Sequence, residues 1–498
     1  MRIDPTLAMS DRQSINDSID LSFALQAQTC RGIVPLTALA RSWMLDAIND
    51  PRLFDWIDQY GSPLNLICVD PMSTNLDELQ GVAASFNLDL GVFFARKANK
   101  CLAFVERAIE HKIGIDTAGE MELRQALDYG VSAEKLICTA AVKSDSLFTL
   151  CLRSGVTIAV DNDDELTAIT SQAISLGIAA KVAIRLGRFQ HQSKPLPTRF
   201  GFDASDFTLL DRIDRRMVDL VGFHFHLDGS DLHERVSAIE QTLVWVDEAC
   251  RLGFRPQMID IGGGFPVSYL QNESQWNCFW DELGRALLHQ REPITYRNHG
   301  LGLLGVNGQV YGTRNTYPYF QPTQRVDWFR RLLATRLEGE VLADAISGRK
   351  LELRCEPGRG LLDGCGLTIA RVEFCKPSGR DEHLVGLSMN STQCRTTSDD
   401  FLVDPIVIRH PLSQSCEPVS GYFVGAYCTE SELISLRKFD FPEGIGRGDL
   451  VVFPNTAGYL MHFVESRSHQ FPLAKNLIWG DSVELDSIET QGMTERVK

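Results

Sequence analysis

Short apolar runs alternate with longer amphipathic stretches from Leu64 to about residue 270. The apolar runs are LNLICV, VFFA, IGID, LICT, TIAV, KVAIRLG, LVGFHFH and MIDIGGG, and stretches of helical periodicity such as AFVERAIEHK and DELTAITSQAISLG lie between them. A strand followed by a helix, repeated this often, is typical of parallel strands joined by crossover helices. About eight such units close into a barrel, so we predict an α/β fold with a (β/α)8 TIM barrel.

The pattern changes after about residue 350. Runs such as LELRCEP, LTIARVEFC, PIVIRH and DLVVFP are separated by clusters of Gly, Pro, Ser and Thr, which predicts a C-terminal, mostly antiparallel β domain. We therefore divide the chain into an N-terminal extension at 1–55 that contributes to the β domain, a barrel at 56–345 and a β domain at 346–498. A helix is expected near 36–48. Residues near 300–330 lack periodicity, which predicts a loop insertion in the barrel.

Charge and cysteine usage limit the class of protein. The chain of 498 residues has a formal net charge of −16, which disfavours nucleic acid and anionic membranes as partners. It has neither an apolar run of bilayer-spanning length nor an N-terminal leader pattern. Its thirteen cysteines are scattered without a C-x-x-C pair, which favours a reducing compartment over a disulfide framework or a zinc site. We expect a cytoplasmic protein.

A lysine and a glycine cluster follow two of the apolar runs. Lys97 ends VFFARK, and the C-terminal ends of barrel strands are where barrel enzymes carry catalytic groups. A lysine in that position is nevertheless more often solvated surface. Gly262, Gly263 and Gly264 follow an apolar strand, and consecutive glycines let backbone N–H groups surround a phosphate. The alternative is a tight turn. No Walker-type lysine and serine follow, which disfavours nucleoside triphosphate binding.

Two further segments carry polar groups suited to an aromatic cofactor. In CEPGRG, Glu356 offers a carboxylate that can keep a pyridine nitrogen protonated, and Arg359 offers a guanidinium that can bind phosphate oxygens in a bidentate manner. The alternative is that the two residues form a surface salt bridge. In HFHLDGS, His224 and His226 lie on one face of a strand, so that one imidazole can stack on a ring and Ser230 can donate to phosphate. The H-x-H pattern also occurs in metal sites, but no third ligand stands at a persuasive spacing, so we predict no metal.

Seven segments in this order resemble motifs of the fold-type III pyridoxal 5'-phosphate (PLP)-dependent decarboxylases. That group contains diaminopimelate, ornithine and arginine decarboxylases and shares its barrel with alanine racemase. The segments are FFARKANK, IDTAGEMEL, HFHLDGS, IDIGGGFP, CEPGRG, VGAYCTESEL and NTAGYLMHF. They cover roughly residues 60 to 480, and several motifs in one order are far more specific than any single one.

The resemblance implies roles for individual residues. Lys97 would bind PLP as a Schiff base, His226 would stack on its ring, and Glu356 would pair with the pyridine nitrogen. Cys428 would come from the second subunit of a homodimer with shared active sites and would protonate the product carbon. The other implied PLP contacts are Asp116, Arg185, Ser230, Gly262, Gly263, Gly264, Pro357, Gly358, Arg359 and Tyr459. Glu122 matches a position that braces the site, and HFHLDGS has one residue more between histidine and serine than the family's usual spacing.

The implied activity is decarboxylation of an amino acid or an amino-acid-derived, secondary-metabolite substrate. Related racemases carry an arginine at the pyridine nitrogen, so Glu356 favours the decarboxylase branch. The alternative is a PLP-dependent amino acid racemase or epimerase, and the second alternative is a non-catalytic PLP-binding homologue. Candidate substrate contacts are Arg395, Glu430 and Glu432, and Thr429 stands where the family commonly has a carboxylate directly after the cysteine.

Overall fold

The computed structural model describes residues 24–379, 381–396, 401–412 and 417–490. These residues form two compact units. The barrel unit consists of Met72–Pro266 and Thr323–Leu361. The β unit takes the described residues up to Pro71, then Val267–Pro322, and those from Leu362 onward. The chain therefore passes from the β unit into the barrel unit and back twice.

The barrel unit's sheet has nine strands, of which the short strand Phe202–Asp203 pairs in parallel with Ala180–Gly187 and the other eight, all parallel, form the barrel. In chain order they are β1 (Leu90–Ala95), β2 (Gly114–Thr117), β3 (Leu136–Cys138), β4 (Thr157–Val160), β5 (Ala180–Gly187), β6 (Val218–His224), β7 (Met258–Asp260) and β8 (Glu352–Cys355). Each strand pairs with the next, and β8 pairs with β1 so that Leu353 lies opposite Leu90. The sheet is therefore closed, and the predicted barrel is confirmed.

Helices precede the first barrel strand or connect later ones, and each buries one face. They are Asp70–Ser85, Ala103–Glu110, Glu120–Asp128, Asp145–Ser154, Asp163–Leu176, Leu232–Arg251, Arg325–Leu333 and Leu342–Gly348. The helix at Asp145–Ser154 illustrates the local signals. Ser144 caps its N-terminus by accepting a hydrogen bond from the backbone N–H of Leu147 at 3.2 Å, and Gly155 ends it in the left-handed conformation at φ 75°. Its buried side chains recur at helical spacing.

The β unit contains a ten-stranded, mostly antiparallel sheet. Its strands are Arg31–Gly32, Leu64–Ile67, Gly366–Pro377, His383–Leu387, Ile406–Ile408, Val419–Val424, Phe439–Phe441, Leu450–Pro454, Lys475–Ile478 and Glu484–Leu485. Two of its pairings are parallel, including that of Leu64–Ile67 with Lys475–Ile478. Helices Ser42–Ile48, Leu53–Tyr60 and Glu273–Leu287 accompany the sheet in this unit. Aromatic side chains such as Phe423, Phe439 and Phe453 fill its core.

Two strand-like runs lie on the other side of the expected domain boundaries. LNLICV belongs to the β unit, because Leu64–Ile67 pairs with Gly366–Pro377. LELR belongs to the barrel, because Glu352–Cys355 completes it as β8. The barrel thus extends beyond the expected end at residue 345. Hydrophobic pattern identifies a strand but not its partners, and each run has one partner that lies more than 250 residues away, Gly366–Pro377 for the first and Leu90–Ala95 for the second.

The N-terminal extension and the insertion also differ in detail from expectation. Arg31–Gly32 pairs with Phe439–Phe441, so this part of the extension joins the β unit's sheet, whereas residues 1–23 lie outside the described residues. The helix expected near 36–48 begins at Ser42. Residues 300–322 of the expected insertion belong to the β unit and contain an antiparallel hairpin of Leu303–Val306 and Gln309–Gly312, whereas residues 323–330 belong to the barrel unit. Across the described ranges, none of the helices is long and apolar enough to cross a bilayer.

Candidate active site

The C-terminal ends of the barrel strands carry buried polar side chains. β1 runs into a 3₁₀ turn at Arg96–Ala98 that contains Lys97. Asp116 lies near the end of β2, opposite Ala95 of β1. Glu356 follows β8 directly. Because neighbouring parallel strands end at the same rim, residues distant in sequence meet there.

Lys97 forms an ion pair at this rim. Its Nζ lies 2.9 Å from Asp116 Oδ2, and the other carboxylate oxygen of Asp116 accepts a hydrogen bond from the Thr139 hydroxyl. The Asp116 side chain is fully buried, whereas the Lys97 side chain is 29% exposed. The amine is therefore held in a defined position by a buried carboxylate and is still open to a small molecule.

Glu356 is a buried carboxyl group next to a buried imidazole. Its Oε1 lies 3.2 Å from Nε2 of His224, but the two groups are not oriented to form a hydrogen bond, and both atoms lack a hydrogen-bond partner. Burial, assisted by the Asp116 carboxylate, raises the pKa of Glu356 to about 8, although Lys97 and Arg185 oppose the shift. In the cofactor-free barrel Glu356 therefore keeps its proton near neutral pH.

Asp260 joins Glu356 and His224 in one cluster. One potential ligand atom from each of the three lies within 4.8 Å of the other two. Burial, with the charge of Glu356, raises the pKa of Asp260 to about 7, and burial lowers the pKa of His224 to about 4. Such donors also occur in metal sites. In the cofactor-free barrel, burial favours the uncharged forms of His224 and Glu356 at neutral pH.

The glycine cluster after β7 adopts a conformation that side chains would obstruct. Gly262 and Gly264 have φ of +66° and +86°, in the left-handed region that favours glycine. A Cβ on Gly262 would lie 2.7 Å from His226 Nδ1, and one on Gly264 would lie 2.6 Å from the Gly229 carbonyl oxygen. The loop thus presents bare backbone, as the phosphate-loop prediction requires.

His226 lies against this glycine loop. The backbone N–H of Gly263 donates a hydrogen bond to His226 Nδ1 at 3.2 Å, so the proton of the neutral ring is assigned to Nε2. Burial, followed by the charge of Lys97, lowers the pKa of His226 well below its usual value. His226 is thus an uncharged ring fixed between the loop and the barrel mouth, and it also lines a pocket of 480 Å³.

Arg235, which sequence reasoning missed, braces two loops of the site. Its guanidinium donates hydrogen bonds to the carbonyl oxygens of Ile261 and Gly229, and it lies 5.4 Å from the ring centroid of Trp328. Trp328 in turn donates to the Ser230 carbonyl oxygen at 2.9 Å. Burial lowers the pKa of Arg235 to about 10. A local signal existed, because Arg235 begins the inward face of the helix that follows HFHLDGS.

Arg185 and Glu122 have partners of their own around the rim. Arg185 of β5 lies 3.5 Å from Asp161, and its guanidinium lies 4.0 Å from the Phe200 ring centroid. Burial lowers the pKa of Arg185. Glu122 accepts a hydrogen bond from the Ala118 backbone N–H at 2.7 Å, and burial raises its pKa.

The remaining barrel candidates follow Glu356 or end HFHLDGS. Pro357 and Gly358 are buried, while Arg359 and Ser230 are half-buried. Together with Lys97, Asp116, His226 and Gly262–Gly264, these residues all belong to the barrel unit.

The other predicted site residues belong to the β unit. Cys428 is exposed, and its Sγ lies 3.0 Å from His469 Nε2. Tyr459 is half-buried with φ of +73°, and its ring packs edge-on against Phe463 at 5.6 Å. Sequence reasoning named Cys428 but not His469, which lies 41 residues further along the chain.

The three candidate substrate contacts have different surroundings. Glu432 is buried and accepts hydrogen bonds from the backbone N–H and the hydroxyl of Ser391, at 2.7 and 2.8 Å. Arg395 is half-buried and donates to the Leu433 carbonyl oxygen at 3.3 Å. Glu430 is exposed. Glu432 therefore already stabilises the loop, whereas Glu430 is accessible.

Comparison with known proteins identifies the family. The model of the family described as "Pyridoxal-dependent decarboxylase, pyridoxal binding domain" matches residues 76–298. The uncharacterized protein y4yA of Sinorhizobium fredii is 31% identical over 450 residues, which cover 89% of this chain and 93% of that protein. The chain belongs to the fold-type III PLP-dependent amino acid decarboxylases. PLP is the cofactor of this family, and its enzymes are carboxy-lyases.

Relatives named for their activity match the decarboxylase over most of its length. Diaminopimelate decarboxylase of Bacillus methanolicus is 24% identical over 425 residues, which cover 81% of this chain and 85% of that enzyme. The crystal structure of diaminopimelate decarboxylase from Helicobacter pylori complexed with L-lysine aligns with a TM-score of 0.64 at 17% identity. That alignment covers 89% of this chain and 99% of the other, and it supports the shared fold.

The barrel residues of this decarboxylase suit each part of PLP. An aldehyde needs an accessible amine, which Lys97 supplies at a 29% exposed side chain. A pyridine nitrogen needs a buried partner, and Glu356 Oε1 is buried without a hydrogen-bond partner. A phosphate needs bare backbone, which Gly262 and Gly264 supply where a Cβ would collide. The donor set therefore fits the cofactor.

Proposed function

We propose that this chain decarboxylates an α-amino acid, with PLP bound covalently to Lys97. The observation that carries the proposal is Glu356, a fully buried carboxyl group with one oxygen that lacks a hydrogen-bond partner. A bound PLP supplies an electron sink for the bond that breaks, and the sink is strong only while its ring nitrogen is protonated. With its pKa raised to about 8, Glu356 holds a proton at neutral pH that it can give to that nitrogen.

Lys97 and Asp116 would control the covalent attachment. The ion pair at 2.9 Å fixes Lys97 Nζ at the rim, so the amine is positioned before the cofactor arrives. The buried Asp116 carboxylate stabilises the cationic form of that amine, and it can accept the amine's proton when the amine acts as a nucleophile. Lys97 would then be released when a substrate amine takes its place.

The phosphate and the ring face would be held by neighbouring loops. Gly262, Gly263 and Gly264 offer backbone, Ser230 and Arg359 offer side-chain donors, and Arg235 fixes the carbonyl groups behind them. His226, uncharged and hydrogen-bonded to Gly263, offers a flat ring for stacking. Asp116, Arg185, Pro357, Gly358 and Tyr459 stay predictions for the same cofactor.

The β unit would supply the proton donor in a homodimer. Cys428 is one of three exposed cysteines among the described residues, and a thiol is a suitable acid for carbon. We propose that the partner subunit contributes this residue, so that each site is complete only in the dimer. The twelve described cysteines are all free, which fits the proposed cytoplasmic location.

We propose an amino acid with a polar distal group as the substrate class. Half-buried Arg395 is the candidate for a distal carboxylate, and exposed Glu430 for a distal amine. Glu432 would act indirectly, because Ser391 occupies both of its carboxylate oxygens. An amino-acid-derived secondary metabolite with the same distal groups belongs to this class.

The test is release of carbon dioxide by the PLP-loaded enzyme. Substrates would be meso-diaminopimelate, lysine, ornithine, arginine and glutamate, each in both configurations where they exist, with Lys97→Ala as the inactive control. We expect stoichiometric carbon dioxide and amine from at least one substrate. Exchange of the Cα hydrogen for solvent deuterium without carbon dioxide would establish the racemase instead. An absorbance band that does not shift with any amino acid would indicate the non-catalytic homologue.

A further inference from the structure

A thiol and an imidazole form a close pair on the surface of the β unit. Cys428 Sγ lies 3.0 Å from His469 Nε2, and both residues are exposed. A thiol is converted to its reactive thiolate when an adjacent base takes its proton. The distance is therefore one at which a proton can pass between the two side chains in either direction.

Aromatic stacking fixes the plane of the imidazole. The His469 ring lies 5.0 Å from the Tyr427 ring at an interplanar angle of 21°, and 5.9 Å from the Phe471 ring at 20°. The Tyr427 hydroxyl donates to the Ser466 carbonyl oxygen at 3.3 Å, which anchors the stack to the loop that carries the histidine. The exposed imidazole is thus held in one orientation.

The backbone at this point is strained. His469 and Gln470 have φ of +58° and +60°, in the left-handed region that residues other than glycine rarely adopt. Such strained backbone is costly and concentrates where a side chain must be placed for a purpose. Glycine or asparagine would relieve it, but neither offers a base.

We propose that His469 positions the Cys428 thiol and exchanges its proton, so that the proton donor of the reaction is a cysteine–histidine pair. This inference rests on the proposed decarboxylase function. The Cys428 S–H bond breaks as the proton joins the substrate carbon that has lost carbon dioxide, and sulfur keeps the bonding electrons. His469 then takes a proton from water and passes a proton from Nε2 to sulfur, which restores the thiol and the neutral imidazole.

Other charged groups near the pair are engaged elsewhere or exposed. Glu430 pairs with Arg297 at 3.4 Å, and Glu432 accepts hydrogen bonds from Ser391. Arg467 lies two residues before His469 and is exposed. Of these charged or ionisable side chains, His469 is the one that contacts the Cys428 thiol directly.

Thiol alkylation of the PLP-loaded enzyme tests the pair without any decarboxylation. Iodoacetamide would be added at pH 7 and each cysteine followed by peptide mass spectrometry, with exposed Cys250 and Cys278 as internal controls. We expect Cys428 to react at least about tenfold faster than either control, because the adjacent imidazole can take the proton of the thiol as its sulfur attacks. His469→Asn, which tolerates a positive φ, should remove the difference. In His469→Gly, added imidazole should restore the faster alkylation of Cys428. Phe471→Leu should retain most of that rate difference.

A double-mutant cycle tests the role in the reaction. His469→Asn should slow amine formation in the enzyme that has Cys428 and should have no further effect in Cys428→Ala. Alkylation of Cys428 no faster than that of the controls, or insensitive to His469, would overturn the pair. Additive effects in the cycle would overturn its role as proton donor. If no amino acid releases carbon dioxide, the proposed function fails, and the alkylation rates still decide whether the pair exists.

Discussion

Glu356 Oε1 and His224 Nε2 lie 3.2 Å apart in the barrel, and the two side chains are only 1% and 0% exposed. The pKa of Glu356 is raised to about 8 and that of His224 is lowered to about 4, so both groups are uncharged near neutral pH. Glu356 follows β8 and His224 ends β6, and burial keeps both groups neutral. A protonated ring nitrogen of PLP beside them would therefore strongly change the local electrostatics.

Replacing Glu356 should affect catalysis more than cofactor attachment. In Glu356→Gln we expect carbon dioxide release to fall at least about 100-fold, the scale of losing a positioned proton donor, because an amide cannot protonate the ring nitrogen. Lys97 should still bind PLP covalently, as measured by peptide mass after reduction. Glu352→Gln is the matched control, since Glu352 is a carboxylate of β8, the strand that Glu356 follows, and pairs with Arg354 at 2.6 Å. Equal losses in both variants would contradict the role of Glu356.

The stability of the cofactor-free protein should fall as pH rises from about 6.5 to 8.5. The folded pKa values of Glu356 and Asp260, about 8 and 7, lie above their unfolded values, so the folded state binds more protons in this window. His224 acts oppositely, but only between about pH 4 and 6.5, because its folded pKa is lowered. Thermal unfolding across this pH range measures the effect. Glu356→Gln should flatten the slope, and an unchanged slope would refute this assignment.

A methyl group on Gly264 should weaken PLP binding. Gly264→Ala places a Cβ 2.6 Å from the Gly229 carbonyl oxygen at φ of +86°, so the loop must shift. We expect the dissociation constant for PLP, followed by absorbance titration, to rise by about tenfold or more, given strain of roughly 1–3 kcal/mol. Gly81→Ala is the control, because a Cβ on Gly81 meets nothing within 4 Å in the helix Asp70–Ser85. It should raise stability by up to about 1 kcal/mol.

Removing the Arg235 guanidinium should loosen both loops at once. Arg235→Met keeps an apolar stem but leaves the carbonyl oxygens of Ile261 and Gly229 without this donor. A buried group without a partner costs about 1–3 kcal/mol, so both the free energy of unfolding and PLP affinity should fall. Arg251→Met, at the other end of the same helix, removes an exposed pair with Glu248 and should cost under about 1 kcal/mol. Similar losses in the two variants would rule out the bracing role.

The barrel was predictable from the sequence because its signal is local and repeated. Strand and helix periodicities recur through Met72–Pro266, and seven of the eight barrel strands lie in that range. The sequence pattern assigned Leu64–Ile67 to the barrel and Glu352–Cys355 to the β domain, whereas the structure has the reverse. The two runs have the same apolar character. Only their pairing partners distinguish them, and pairing over hundreds of residues leaves no trace in local periodicity.

The candidate site divides in the same way. Lys97, Glu356 and Gly262–Gly264 stand in short segments whose composition already indicates chemistry. Asp260 stands in IDIGGGFP and Arg235 in the helix after HFHLDGS, but their roles depend on contacts that only the folded chain makes. Standing alone in the sequence, an aspartate at a strand end or an arginine in a helix is usually solvated surface.

Borohydride trapping of the PLP-loaded enzyme shows whether Lys97 holds the cofactor. We expect a yellow protein whose absorbance band disappears on reduction, with the reduced cofactor found by peptide mass on Lys97 and absent in Lys97→Ala. Trapping on another lysine, or a protein that stays colourless with added PLP, would contradict this role of Lys97.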